Sequence, residues 1–178
     1  MNTLIINAGP RRNGNCAFLA SKLQEKYNND CKLINLIDLN ITPCVACRSC
    51  KINDTLCVIN DDMTSIYDDI FKAEKLIFIS PNYFGFVSSL GKIFTDRWYC
   101  LKDINRVSKI KEEKKALFFL LQGAPSRDHG KNITEWAKHF FTGYGFKYFS
   151  MTIAGCDYDN TNAVENKLDE ILMNTSMF

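Results

Sequence analysis

The sequence predicts an α/β three-layer sandwich built on a five-stranded parallel sheet, and three observations carry that prediction. Short apolar runs rich in Leu, Ile and Phe recur five times along the 178 residues. Between them lie longer segments whose apolar side chains repeat at helical spacing. The run at 115–121 is apolar at nearly every position, as a strand buried on both faces requires. Strands alternating with helices in this way give a parallel sheet with right-handed crossovers and helices on both sides.

Residues 3–8 form the first strand, too short for a helix and rich in Leu and Ile. A turn at 9–15 follows, and then Cys16, Leu19, Leu23 and Tyr27 mark a helix. Residues 31–37 make the second strand, and 38–60 an irregular loop. Asp61 and Asp62 open a helix with acidic residues that suit its positive end. Met63, Ile66, Tyr67 and Ile70 are its apolar stripe. The third strand spans 75–80, with a turn at 81–85 and a helix over 88–101. The fourth strand spans 115–121, and Trp136, Ala137, Phe140, Phe141 and Tyr144 mark the next helix. A fifth strand at 146–153 and a closing helix through Val164, Leu168, Ile171 and Leu172 complete the pattern.

This makes a single domain over 1–178 with a cysteine-bearing loop at about 38–60. At 46% hydrophobic and 24% charged, the composition is that of a soluble globular protein. A net charge of +2 offers no electrostatic reason for a nucleic-acid or membrane partner. The mixed stretch 109–115 reads as a solvated face. No run reaches the ~18 apolar residues of a membrane span, and the N-terminal residues do not read as a signal peptide. The expected location is the cytoplasm, where clustered cysteines read as a metal or redox site rather than as disulfides.

Ligands of such sheets sit beyond the carboxyl ends of the strands, where the winding changes direction. The turn after the first strand, Gly9-Pro10-Arg11-Arg12-Asn13-Gly14-Asn15-Cys16, falls there. Its glycines let backbone N–H groups turn inward around an anion, and the following helix adds its positive end. A P-loop would need Lys and Ser/Thr after the second glycine, where Asn15 and Cys16 stand. A dinucleotide fingerprint would need glycine at position 11, where Arg stands. A mononucleotide phosphate loop remains, beside the plainer alternative of a strand-to-helix turn with surface arginines.

The stretch resembles the S-P-R-x-x-G-N-[ST] loop of the NADPH-dependent FMN reductase family, including its iron–sulfur flavoprotein branch. Gly9 and Cys16 replace hydroxyl residues of that pattern, which shifts phosphate binding toward backbone amides, Arg11 and Asn15. The resemblance implies a flavodoxin-like fold with strand order 2-1-3-4-5 and bound FMN. Ser80-Pro81-Asn82-Tyr83-Phe84-Gly85 is similar to the family's S-P-x-Y-F-G segment. Tyr83 and Phe84 would wall the flavin ring, and Asn82, Gly85 and the local backbone would meet its polar edge; ordinary packing is the alternative. Gln122-Gly123-Ala124-Pro125 resembles the family's Q-G-x-P turn beside the ring. The expected FMN-binding residues are thus Gly9, Pro10, Arg11, Gly14, Asn15 and Cys16; Pro81, Asn82, Tyr83, Phe84 and Gly85; and Gln122, Gly123 and Ala124.

Cys44, Cys47, Cys50 and Cys57 lie within fourteen residues. Two-residue gaps allow tight turns that aim successive sulfurs inward, as iron–sulfur ligation requires. Zinc, a redox dithiol or metal-free thiols fit the same residues. Resemblance to the iron–sulfur flavoproteins implies that all four hold a 4Fe–4S cluster.

His129 lies in a polar loop near the expected flavin edge, and His139 on a helix surface. Asp96 and Arg97 read as helix-surface ion pairs, and Phe94, Trp98 and Tyr99 as a dimer contact or as packing. No catalytic acid, base or nucleophile is expected, because the flavin carries the chemistry. The expected activity moves electrons from NAD(P)H or a ferredoxin-like donor to a quinone, free flavin or other small-molecule or protein acceptor. The resemblance further implies a homodimer or homotetramer. A non-enzymatic electron carrier and a flavin-free metal-binding interaction protein are the alternatives.

Overall fold

The structure is a computed structural model that describes residues 2–178. Its strands are β1 (Thr3–Asn7), β2 (Cys31–Asn35), β3 (Lys75–Tyr83), β4 (Phe86–Val87), β5 (Lys114–Gln122) and β6 (Phe146–Ala154). Its helices are α1 (Asn15–Tyr27), α2 (Ser49–Ile52), α3 (Met63–Lys72), α4 (Ser89–Asp96), α5 (Lys131–Thr142), α6 (Asn162–Glu165) and α7 (Leu168–Met177). The parallel strands stand in the order β2-β1-β3-β5-β6, and β4 pairs antiparallel with the end of β3. Setting aside that two-residue strand, this is the expected 2-1-3-4-5 order of a flavodoxin-like sheet.

Alternation along the strands divides the core into two layers. Leu4, Ile6, Phe78 and Phe118 face α3, α4 and α5, meeting Ile66, Phe94 and Phe141. Ile5, Ile77, Ile79 and Phe119 face the other way, onto Leu19 and Leu23 of α1 and Ile171 of α7. The register sets Phe78 beside Phe118, and their rings stack 5.6 Å apart.

Several boundaries differ from the sequence reading: the second strand ends at Asn35 rather than 37, and the loop read as irregular over 38–60 holds the short helix α2. The expected turn at 81–85 is mostly strand: β3 runs on to Tyr83 and folds back on β4 through Phe84 and Gly85, at φ 51° and 80°. Two positive φ values in succession are the geometry of a tight hairpin turn. The expected helix over 88–101 ends its α-helical part at Asp96 and tightens into a 3-10 turn, Arg97–Leu101. There the Arg97 carbonyl accepts from the Tyr67 hydroxyl at 3.0 Å, a tertiary contact that anchors the tightened turn. The closing helix is split into α6 and α7 around Asn166 and Lys167. In the stretch read as a solvated face, Lys114 is buried, its ammonium donating to the carbonyls of Phe71 and Ala73 at 2.8 and 2.6 Å.

Candidate active site

The carboxyl ends of β1, β3 and β5 lie side by side, joined where Ala8 N–H donates to the Ile79 carbonyl at 2.8 Å. Ser88 Oγ ties the next loop to them by donating to the Ala8 carbonyl at 2.6 Å. The turn after β1 is folded by Asn7, whose buried side chain accepts from Gly9 N–H at 2.9 Å and donates to Asn35 at 2.9 Å. A Cβ at Gly9 would sit 2.5 Å from Cys16 Cβ, so the chain passes α1 at a separation only glycine permits. Gly14 precedes α1 with no side-chain cap, so the first N–H groups of the helix remain open to an acceptor from outside.

Asn82 and Gln122 link the second and third loops, Nδ2 donating to Oε1 at 3.4 Å. Asn82 Oδ1 also accepts from Gly85 N–H at 3.0 Å, and Gln122 Nε2 donates to the Ser126 carbonyl at 2.7 Å. These three loops enclose one cleft of about 220 Å³. Of the expected residues, Gly9, Pro10, Arg11, Gly14, Asn15, Cys16, Pro81, Asn82, Tyr83, Gln122 and Gly123 line it. Phe84, Gly85 and Ala124 do not. The hairpin turns Phe84 fully into solvent, so it packs against no protein group as a wall residue.

A fourth loop closes the cleft and carries no motif in the sequence. After β6, Gly155 N–H and Cys156 N–H donate to the carbonyls of Ala124 and Gln122 at 3.3 and 3.0 Å. Cys156, Asp157 and Tyr158 complete the lining together with Leu121. Asn15 Nδ2 donates to the carbonyls of Asp157 and Asn160 at 2.8 and 3.0 Å, while its Oδ1 is buried without a partner. The Arg11 guanidinium lies 4.1 Å from the centre of the Tyr158 ring, and Nη1 donates to the Tyr158 carbonyl at 2.5 Å. The only sequence signal for this loop is its position beyond a strand end, at the same edge as the other three.

Burial, with Cys156 nearby, pushes the Cys16 thiol far above its ordinary pKa, so a neutral sulfur faces the cleft. The Asp157 carboxyl is held below its usual range, first by Asp159 N–H and then by Tyr158 N–H. Its charge is therefore met by its own loop's backbone. The histidines stand apart: His129 lies in a 3-10 turn after Ser126, and His139 is exposed on α5.

Cys44, Cys47, Cys50 and Cys57 line a second pocket, together with Arg97, Tyr99 and Cys100. All eight cysteines are free. Among the described residues no three metal-binding side chains are grouped so as to hold a metal ion. Burial raises the Cys50 thiol, whereas hydrogen bonding from Ser49 lowers that of exposed Cys47. Arg97 corrects the surface reading of the sequence. Its side chain is 0% exposed and pairs with Asp61 at 2.6 Å, while Asp96 pairs with Lys92 on the surface. Nη1 and Nη2 also donate to the carbonyls of Thr42 and Ile59, and Nε is buried without a partner. Phe94 and Trp98 are core residues, and Tyr99 is 47% exposed.

A parallel sheet in the order β2-β1-β3-β5-β6, with a cleft at the ends of β1, β3 and β5, defines a flavodoxin-like α/β protein. The chain belongs to the NADPH-dependent FMN reductase family, whose sequence profile matches residues 1–156. An iron–sulfur flavoprotein of Clostridioides difficile (strain 630) is 34% identical over 98 residues, 52% of this chain and 44% of that protein. The match thus spans less than half of that relative's length. An FMN-dependent NADH-azoreductase from Bacillus anthracis, solved with FMN, superposes with a TM-score of 0.73 at 18% identity, over 99% of each chain. The NAD(P)H:quinone oxidoreductase from Methanothermobacter marburgensis gives 0.74 at 19% identity, over 97% of this chain and 94% of that one. At such identities these two establish the fold. No described helix is long and apolar enough to cross a membrane.

Proposed function

We propose that the protein binds FMN in the four-loop cleft and moves electrons from NAD(P)H or a reduced carrier to a quinone, free flavin or other redox acceptor. The observation that carries this reading is the convergence of the three sequence-marked loops on one cleft at the ends of β1, β3 and β5. Bound FMN would supply both two-electron and one-electron chemistry.

Each part of the cleft has a separable task. The uncapped N–H groups at the start of α1 would meet the phosphate, and Arg11 would add its charge. Tyr83 would lie against the ring, while the Asn82–Gln122 pair would offer its polar edge both donors and acceptors. The neutral Cys16 thiol places no negative charge beside the phosphate.

The second pocket supports a 4Fe–4S cluster held by Cys44, Cys47, Cys50 and Cys57. A cubane takes one thiolate at each of four irons, and four cysteines line this one pocket. The buried Arg97 beside them has an Nε–H with no partner in the protein, which suits an acceptor there. Such a cluster would supply one-electron steps. The reading further includes a cytoplasmic homo-oligomer, as expected for the family.

Anaerobic purification with a visible spectrum, and iron, sulfide and zinc assays on the same sample, tests both cofactors. Flavin with iron and sulfide supports the full reading; flavin without iron removes the cluster alone. Steady-state NAD(P)H oxidation with a quinone then separates an enzyme from a carrier, and a flavin-free folded protein that takes up no added FMN overturns the proposal.

A further inference from the structure

Resting on the cluster reading above, we infer that Arg97 is the positioning residue of the cysteine site: it clamps both ends of the cysteine loop and gives its Nε–H to a sulfur of the bound cluster. Nη1 donates to the Thr42 carbonyl at 2.7 Å, two residues before Cys44. Nη2 donates to the Ile59 carbonyl at 3.3 Å, two residues after Cys57. Asp61 bridges the two sides, accepting from Nη1 at 2.6 Å, Nη2 at 3.1 Å and Thr42 N–H at 2.9 Å. One guanidinium thus closes the whole segment that carries the four thiols.

This geometry uses both terminal nitrogens and leaves the Nε–H. That donor is buried, has no partner in the protein, and belongs to a residue lining the pocket of the four cysteines. Buried N–H groups are almost always paired, so an unpaired one at a ligand pocket marks where an acceptor binds. A thiolate or sulfide of the cluster is that acceptor. Asp61 balances only the charge of Arg97. Lys51, beside Cys50, is also buried, and its ammonium is held by the carbonyls of Tyr99, Lys102 and Asp103. A buried cation whose hydrogen-bond partners are all neutral suits a neighbouring anion. Hydrogen bonds to cluster sulfurs favour the reduced, more negative state.

The test is an anaerobic redox titration of the holoprotein and its Arg97→Lys variant, followed by electron paramagnetic resonance. Lysine keeps the positive charge but has no Nε–H. The expected result is a variant that retains FMN and iron, with the cluster's equilibrium shifted about tenfold toward the oxidised form. For a one-electron couple that is a midpoint about 59 mV lower. An unchanged midpoint in a fully loaded variant overturns the role of Arg97 and leaves the cluster standing. A wild-type protein without iron and sulfide overturns both.

Should the variant fail to fold or load, the wild-type protein labelled with 15N at arginine Nε gives the answer. Electron–nuclear double resonance of its reduced cluster is expected to reveal a 15N coupling that survives Arg48→Lys, which removes the other arginine lining the pocket. Absence of the coupling, or its loss with Arg48, overturns the inference.

Discussion

Arg11 and Tyr158 are 147 residues apart in sequence, yet the guanidinium stacks on the ring at 4.1 Å and donates to the same residue's carbonyl. The cation proposed to meet the FMN phosphate is thereby held in place by the loop after β6. A cation–π contact at an exposed site is worth about 0.5–1 kcal/mol. Tyr158→Ala is therefore expected to weaken FMN binding by roughly two- to fivefold. Flavin fluorescence titration of the apoprotein measures it, and tighter binding in the variant would identify the ring as an obstacle instead.

The Asp61–Arg97 pair makes a prediction about pH. Burial alone would raise the Asp61 carboxyl, but the Arg97 hydrogen bonds and the N–H groups of Thr42 and Met63 outweigh it, and the net direction is down. A carboxyl lowered by folding stabilises the protein above its unfolded pKa, and this is lost as pH falls through the folded value. Breaking a buried pair from one side costs about 3–5 kcal/mol. Asp61→Asn is expected to lower stability by about 3 kcal/mol at pH 7, with the gap from wild type narrowing below pH ~4. Urea unfolding midpoints at pH 7 and pH 3 provide the check; an equal gap at both would place the stabilisation elsewhere.

Gly9 controls how closely the turn after β1 passes α1. Gly9→Ala sets a methyl 2.5 Å from Cys16 Cβ, and neither backbone element is free to yield. Overpacking of this kind costs about 1–3 kcal/mol. Lower thermal stability together with weaker FMN binding is the expected pair of outcomes. A stability loss with unchanged FMN affinity would mean that the loop relaxes away from the phosphate site.

Phe84 is a bulky residue at φ 51° with its side chain fully in solvent. Left-handed backbone costs a non-glycine residue about 1–2 kcal/mol, of which glycine's extra chain entropy returns roughly half. Phe84→Gly should leave stability unchanged or raise it by up to about 1 kcal/mol. If the side chain serves an electron donor, acceptor or second subunit, the same variant loses turnover while keeping FMN. Calorimetry and NAD(P)H oxidation on one preparation distinguish the two effects.

The sequence alone determined the sheet and the edge at which its cleft opens. Apolar runs such as 76–79 and 116–121 can be buried only as strands sandwiched by helices, and alternation with helices forces them parallel. Parallel strands bring their carboxyl ends to one edge, so the turns at 9–16, 81–83 and 122–123 had to meet there. Tertiary structure decided whatever depended on partners far away along the chain. Tyr158 reached Arg11, and Arg97 was drawn inside by Asp61, because hydrogen-bond geometry across folded elements has no trace in local composition. An arginine in an amphipathic helix reads as surface, since buried arginines are rare without a buried counter-charge. Phe84 turned outward because a two-residue hairpin, not an open loop, follows β3. Local chemistry set the elements and the edge where they open; contacts between distant residues set which side chains line the cleft.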